Sequence, residues 1–208
     1  MELLFIRHAL PRRVEGVEGP ADPELSEAGM SQARHLAEYL ASEKIHAVYA
    51  SPLRRAMQTA QPVAAKQGIE ITVADGIAEY DRDAAEYIPI EQLKEEGLPG
   101  WQDVLAGDTH RSAGVDPHEF RNGVVEAIEA IIAGHPGEKV AAVCHGGVIN
   151  AYLTHVLGIP DPSGFFYPNY TSIHRIAAAR SGERSVLSLN ETCHLRGTGL
   201  PVGLFGGS

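Results

Sequence analysis

Three short stretches place hydrogen-bonding side chains directly after apolar runs: Arg7-His8 after "LLFI", Ser51 with Arg54-Arg55 after "IHAVYA", and His145-Gly146-Gly147 after "EKVAAVC". Taken singly, an Arg-His pair at a strand end faces water, as most such residues do. Taken together, two imidazoles and at least one guanidinium can share one rim, because the loops of an open parallel sheet gather beyond the carboxyl ends of its strands. The chemistry open to that set is attack on phosphorus. A neutral imidazole is a nucleophile. Neighbouring guanidinium groups neutralise the phosphoryl oxygens and, by like-charge repulsion, keep the imidazole unprotonated. A helix N-terminus adds free N–H donors for the same anion. Phosphoryl transfer needs such a clamp more than it needs elaborate covalent chemistry.

The elements that must position these residues are legible in the apolar pattern. "LLFI" at 3–6, "IHAVYA" at 45–50, "IEITVA" at 69–74 and "EKVAAVC" at 138–144 are short and continuously apolar, as strands buried on both faces are. Helical patterns alternate with them. "LSEAGMSQARHLAEYLASEK" puts Leu36, Tyr39 and Leu40 at helical spacing behind Ser26, with Gly29 rather than an acid three positions on, an imperfect cap. "SPLRRAMQTAQPVAAKQG" reads as a helix capped by Ser51, with Pro52 at its first position, a core face of Leu53, Met57, Ala60 and Ala64, and a stop at Gly68. "PHEFRNGVVEAIEAIIAGHPG" lines up Phe120, Val124, Ile128 and Ile131, and "GGVINAYLTHVLG" forms a fourth helix. "TSIHRIAAA" and "RSVLSLN" around Ser181-Gly182 read as a hairpin on a sheet edge. The fold class expected is α/β, a three-layer α/β/α sandwich with a mostly parallel central sheet. The chain reads as one domain over 1–208, with a small helical cap insertion at about 78–117 and a loose Gly-rich tail at about 196–208.

Composition removes several function classes. A formal net charge of −10 repels nucleic acid and anionic lipid at long range, so neither is expected as a partner. Thirteen of the 17 basic residues are nonetheless Arg, whose planar fork suits phosphate. Cys144 and Cys193 offer no disulfide framework and no metal-ligand spacing, and a reducing cytoplasm suits them. Met1 and Glu2 lead straight into "LLFI" without a signal-like stretch, and no run of ~18 apolar residues exists to span a membrane. The ten histidines include no i, i+4 pair around an acid; His110, His118, His135 and His155 are scattered, and neither metal nor cofactor is expected. Cys144 beside His145 is not a nucleophile-base pair, because adjacent strand residues point to opposite faces; Cys144 reads as core.

Four ordered segments carry a resemblance. "LLFIRHA", "LSEAGMSQA", "YASPLRRAMQTA" and "VCHGGVINAYL" are similar, over residues 3 to about 195, to the histidine phosphatase superfamily, in the branch that looks like phosphoglycerate mutase and small bacterial phosphatases. The resemblance implies that His8 is the residue phosphorylated during turnover and that Arg7, Arg55 and His145 bind the transferring phosphoryl group. Helical phase alone does not choose between Arg54 and Arg55; the resemblance selects Arg55, on a side of the helix away from the core. Glu79, in "IAEYD", takes the place of the acid that protonates the leaving oxygen, with Asp75 and Asp81 as alternatives.

The sequence departs from the family pattern at Ala9, which stands where a Gly is usual, after Glu79, where "YDRDAAEYIPI" replaces the usual motif, and near Val14, where no Asn occurs. That part of the phosphate shell is therefore missing or supplied by Arg12 or Arg13, and Arg12 is the phosphate-binding candidate. Tyr87, Ile88, Ile90 and Trp101 read as packing within the insertion, with a substrate pocket as the alternative. The function expected is a metal-independent phosphomonoesterase that hydrolyses a small phosphorylated metabolite through a phosphohistidine on His8. A phosphoglycerate mutase-type phosphotransferase and a non-catalytic phospholigand-binding domain are the rival readings. Homodimers are common in such families, but the sequence marks no interface.

Overall fold

A computed structural model describes residues 1–106 and 113–204 of the chain. Six strands form one sheet: β1 (Glu2–Arg7), β2 (Ala47–Ala50), β3 (Ile71–Val73), β4 (Lys139–Cys144), β5 (Ile173–Ala178) and β6 (Arg184–Glu191). Their spatial order is β3-β2-β4-β1-β5-β6. The first four pair in parallel, and the hairpin β5-β6 adds two antiparallel strands beside β1, at the edge where the sequence places it. Among the described residues the helices are α1 (Glu27–Leu40), α2 (Arg54–Gln67), α3 (Ile90–Glu96), α4 (Pro99–Ala106), α5 (Pro117–Gly134) and α6 (Gly146–Val156). No described helix is long and apolar enough to cross a membrane.

The continuous apolar run of β1 is explained by the two cores on either side of it. Leu3 and Phe5 pack with Ile128, Val140, Ala142 and Tyr152 under α5 and α6, whereas Leu4 and Ile6 pack with Leu36, Leu40, Ala60 and Val143 under α1 and α2. All four β1 residues are fully buried, and each contributes about 1.5–3 kcal/mol of hydrophobic stabilisation. The result is a three-layer sandwich with its strand ends rigidly fixed.

Local detail differs from the sequence reading where tertiary contacts compete. Tyr39 does not join the core face of α1; it is exposed and its ring lies 5.6 Å from that of His194. Ser26 caps α1 fully, because its Oγ accepts from Gly29 N at 3.0 Å. Ser51 is not the cap of α2. That helix starts at Arg54 with Leu53 as its N-cap, and Asp22 Oδ1 accepts the Arg54 amide at 2.9 Å.

Between the 3-10 turn Asp75–Ile77 and α5, the chain turns after Glu79, where Arg82 N donates to Glu79 O and Ala84 N to Asp81 O, then passes Tyr87 and folds as α3 and α4. A two-bond bridge between Val14 and Tyr87 and an Arg13–Glu96 ion pair tie this segment to the loop after β1. The chain after residue 196 is fastened at two points: Gln32 Nε2 donates to Pro201 O at 2.5 Å and Tyr170 N to Val202 O at 2.9 Å.

The segment "LSEAGMSQA" holds the loop that follows β1. Ser26 donates through both N and Oγ to Leu10 O, and Gln32 Oε1 accepts Leu10 N at 2.8 Å. Gly29 is obligatory for this approach, because a Cβ there would lie 2.1 Å from Leu10 O. Gly29→Ala should therefore cost about 1–3 kcal/mol, a fall in Tm of roughly 2–12 °C for a chain of this size, measurable by thermal unfolding followed by circular dichroism.

Candidate active site

β1 and β4 run parallel, side by side, with Arg7 opposite Cys144, so the next residue on each strand is a histidine. His8 N donates to Cys144 O at 2.9 Å, and the His8 and His145 rings lie 5.1 Å apart between centroids. α2 brings Arg55 to the same crevice from the next loop. Arg7, His8, Arg55 and His145 are all buried.

His8 Nδ1 lies 2.8 Å from Ala9 O. A carbonyl only accepts, so Nδ1 carries the ring proton and Nε2 keeps its lone pair. Burial, and then the charges of Arg55 and Arg7, hold the His8 pKa well below the usual histidine range, so the ring is neutral at pH 7. The loop is locked from below: Thr59 Oγ1 accepts Ala9 N at 2.9 Å while donating back to Arg55 O at 2.7 Å. Ala9, where the family has Gly, is buried, and it is absent from the residues with positive φ.

His145 takes the same tautomer, with its proton rather than its lone pair left open. Ser51 Oγ accepts the Leu53 amide at 3.3 Å and sits 2.7 Å from His145 Nε2. The hydroxyl proton is free to donate to Nε2, which leaves the ring proton on Nδ1. Burial, with Arg55, His8 and Arg7 nearby, lowers the His145 pKa well below the usual range. Four buried side-chain nitrogens lack a hydrogen-bond partner among the described residues, and three of them belong here: Arg7 Nε, Arg55 Nε and His145 Nδ1. Buried donors of this kind are rare and call for an acceptor. Three N–H groups around an imidazole lone pair suit a tetrahedral oxyanion at hydrogen-bond distance.

Each guanidinium is held chiefly by ring faces. Arg7 Cζ lies 4.3 Å from the Tyr170 centroid and 4.7 Å from that of Tyr167, and Nη1 donates to Pro168 O at 2.6 Å. The two phenols donate to one carboxylate, Glu91 on α3, at 3.1 and 2.8 Å. Arg55 Cζ stands 4.7 Å from the Tyr87 centroid and its Nη2 pairs with Asp81 at 3.0 Å.

Glu79 is buried in the same crevice, where Gly147 N donates to Oε2 at 2.9 Å and Tyr80 N to Oε1 at 3.2 Å. Gly147 is required there, since a Cβ would come within 2.3 Å of Oε1. The first-turn amide of α6 expected to serve an anion is thus occupied by Glu79 itself. Burial, with the Asp81 carboxylate beside it, pushes the Glu79 carboxyl up to about 7. Of the alternatives, Asp81 is paired with Arg55 and Asp75 with Arg82.

The structure thus brings together Arg7, His8, Arg55, Glu79 and His145, all but His145 lining one cavity of about 720 Å³. Arg12 is not among them: its side chain is exposed and outside the lining, and Arg13 is engaged by Glu15 and Glu96. Tyr87, Ile88, Ile90 and Trp101, read as packing of the insertion, line the cavity instead. Thr59, Tyr167, Tyr170 and Glu91 were not legible as site residues, and Ser51, placed at the strand end by the sequence, was read as a helix cap rather than as a partner of His145. Cys144 lies in the core beneath the site, as expected. No group of three or more metal-binding side chains converges among the described residues; His110 lies outside them.

The fold and this constellation define a class that the comparisons specify. Residues 3–192 match the model of the histidine phosphatase superfamily (branch 1), and the chain belongs to that family. It is 29% identical over 208 residues to Phosphoserine phosphatase 1 of Hydrogenobacter thermophilus, which covers 94% of each chain. It is 30% identical over 157 residues to Phosphoglycerate mutase-like protein 4 of Arabidopsis thaliana, covering 72% of this chain and 68% of that protein. Among solved structures, a mycobacterial glucosyl-3-phosphoglycerate phosphatase superposes with a TM-score of 0.72 at 21% identity, over 92% of this chain and 99% of the other. The phosphoserine phosphatase of Entamoeba histolytica in complex with 3-phosphoglyceric acid gives 0.69 at 22% identity, over 93% and 98%.

If Ser51 sets the His145 tautomer, Ser51→Ala should weaken binding of orthovanadate about tenfold, the worth of one hydrogen bond to a charged group, as read by titration calorimetry.

Proposed function

We propose that the protein is a metal-independent phosphomonoesterase acting on a small phosphorylated metabolite through a phosphohistidine on His8. The observation that carries this reading is the convergence of an imidazole lone pair, on His8 Nε2, with three partnerless buried donors on Arg7, Arg55 and His145. In the first step the Nε2 lone pair attacks phosphorus and the ester P–O bond breaks. The Glu79 carboxyl gives its proton to the leaving oxygen, and the alcohol departs. In the second step the Glu79 carboxylate takes a proton from water, whose oxygen bonds to phosphorus. The P–N bond breaks, inorganic phosphate leaves and the lone pair returns to Nε2. Arg7, Arg55 and His145 donate to the equatorial oxygens throughout.

The relatives named a phosphoserine phosphatase and a phosphoglycerate mutase-like protein support transfer from a small phosphorylated metabolite. The buried Glu79, poised to exchange a proton near neutrality, favours turnover over a merely ligand-binding role. The reading places the protein in the cytoplasm, which suits its two free thiols, with residues from about 78 to 117 as an insertion that roofs the site.

His8→Ala should reduce release of p-nitrophenol from p-nitrophenyl phosphate by at least about a thousandfold, and EDTA should leave the wild-type rate unchanged. Retention of the wild-type rate by the variant would overturn the mechanism. The pH profile tests Glu79 separately. A group with its pKa near 7 that must be protonated to act loses activity as pH rises through that value. For an alkyl ester such as glycerol phosphate, kcat/KM should fall about tenfold per pH unit above about 8, and Glu79→Gln should abolish this limb.

A further inference from the structure

The phosphoryl group fills only the inner end of the 720 Å³ cavity; the remainder must take the alcohol part of the ester. Its walls there are Ile88, Ile90, Leu93, Trp101, Val104 and Phe165. Among the described lining residues the only cations are Arg7 and Arg55. Both serve the phosphoryl end, where their open Nε atoms lie, and are held there, Arg7 between two phenol rings and against Pro168 O, Arg55 by Asp81 and the Tyr87 face. The side chain of Asn150, also in the lining, has its amide satisfied by Gly146 O, Phe166 O and Phe165 N. Of the acidic side chains in the described lining, Asp81 is paired with Arg55, and Glu86 adds a negative charge.

A carboxylate or second phosphate on the substrate would have to leave water for these apolar walls, with Glu86 in the same lining. An apolar ring entering the same space is driven by burial and meets aromatic partners in Trp101 and Phe165. We propose that the preferred substrates are phosphomonoesters of apolar, uncharged alcohols of about ring size, and that phosphates carrying a second anionic group are poor ones. This rests on the phosphomonoesterase reading and narrows it.

The test compares benzyl phosphate with phosphoserine, both esters of primary alcohols, together with 3-phosphoglycerate. The result expected is a kcat/KM for benzyl phosphate at least tenfold above either anion, expressed mainly in KM. Trp101→Ala should cut the benzyl value at least fivefold while leaving the inhibition constant of inorganic phosphate within twofold. Phe165 is in the lining and exposed, so an Arg there can keep its charge in contact with water. Phe165→Arg supplies a cation beyond the two in the described lining and should raise kcat/KM for phosphoserine, so lowering the ratio of benzyl phosphate to phosphoserine. Phosphoserine or 3-phosphoglycerate turned over as well as benzyl phosphate, or a ratio unmoved by Phe165→Arg, would overturn the substrate class and leave the phosphatase standing. A folded protein that hydrolyses none of the three, nor p-nitrophenyl phosphate, would instead overturn the phosphatase reading, and this one with it.

Discussion

The register between β1 and β4 is the constraint on which the rest depends. Two parallel strands 4.7–4.9 Å apart deliver successive loops side by side, and pairing Arg7 with Cys144 makes the following residues His8 and His145 neighbours. A slip of one residue would turn each side chain to the opposite core and separate the rings. The slip is prevented by the cores themselves, since Leu3 and Phe5 belong to one face and Leu4 and Ile6 to the other. The apolar quartet before Arg7 is therefore as much part of the site as the imidazoles.

Electrostatics then decides what the crevice can hold. Two guanidinium groups are buried within reach of two imidazoles, and among the described residues only the Asp81 carboxylate pairs directly with either of them. Ring faces do much of the work that carboxylates do elsewhere, through Tyr167 and Tyr170 at Arg7 and Tyr87 at Arg55. Because a quadrupole stabilises a cation without cancelling its charge, the field left over is available to a dianion. The same field keeps both imidazoles neutral, one as a lone pair and the other as a donor. Glu79 sits where burial and Asp81 outweigh two backbone donors and Arg55, so a carboxyl group can hold its proton close to neutral pH.

Much of this was legible because it follows from short-range rules. Continuous apolar runs gave parallel strands, and alternation with helices gave the sandwich. The polar residues immediately after strands converged as the topology demands. What escaped the sequence depends on partners far along the chain. Ser51 before Pro52 looks like a helix cap, yet its hydroxyl is drawn to His145, 94 residues away. Arg12 is placed beside the loop by sequence and away from it by the backbone bridge between Val14 and Tyr87, which leaves its side chain in solvent. Arg55 was selected only by family resemblance, because helical phase put it off the core face; it is fully buried all the same, with Tyr87 and Asp81 against it, which no periodicity predicts. Tyr167, Tyr170 and Glu91 carried no local signal, since a tyrosine reads alike whether it packs, donates or stacks.

Glu91 has a further meaning for how the molecule works as a machine. It belongs to α3, yet it grips the two phenols that sandwich Arg7. The helix and these rings are thus a single mechanical linkage: lifting α3 breaks two phenolic bonds and loosens the rings that flank the Arg7 guanidinium in one movement. A change in α3 that spares Glu91 keeps this coupling, whereas loss of its carboxylate frees both phenols at once.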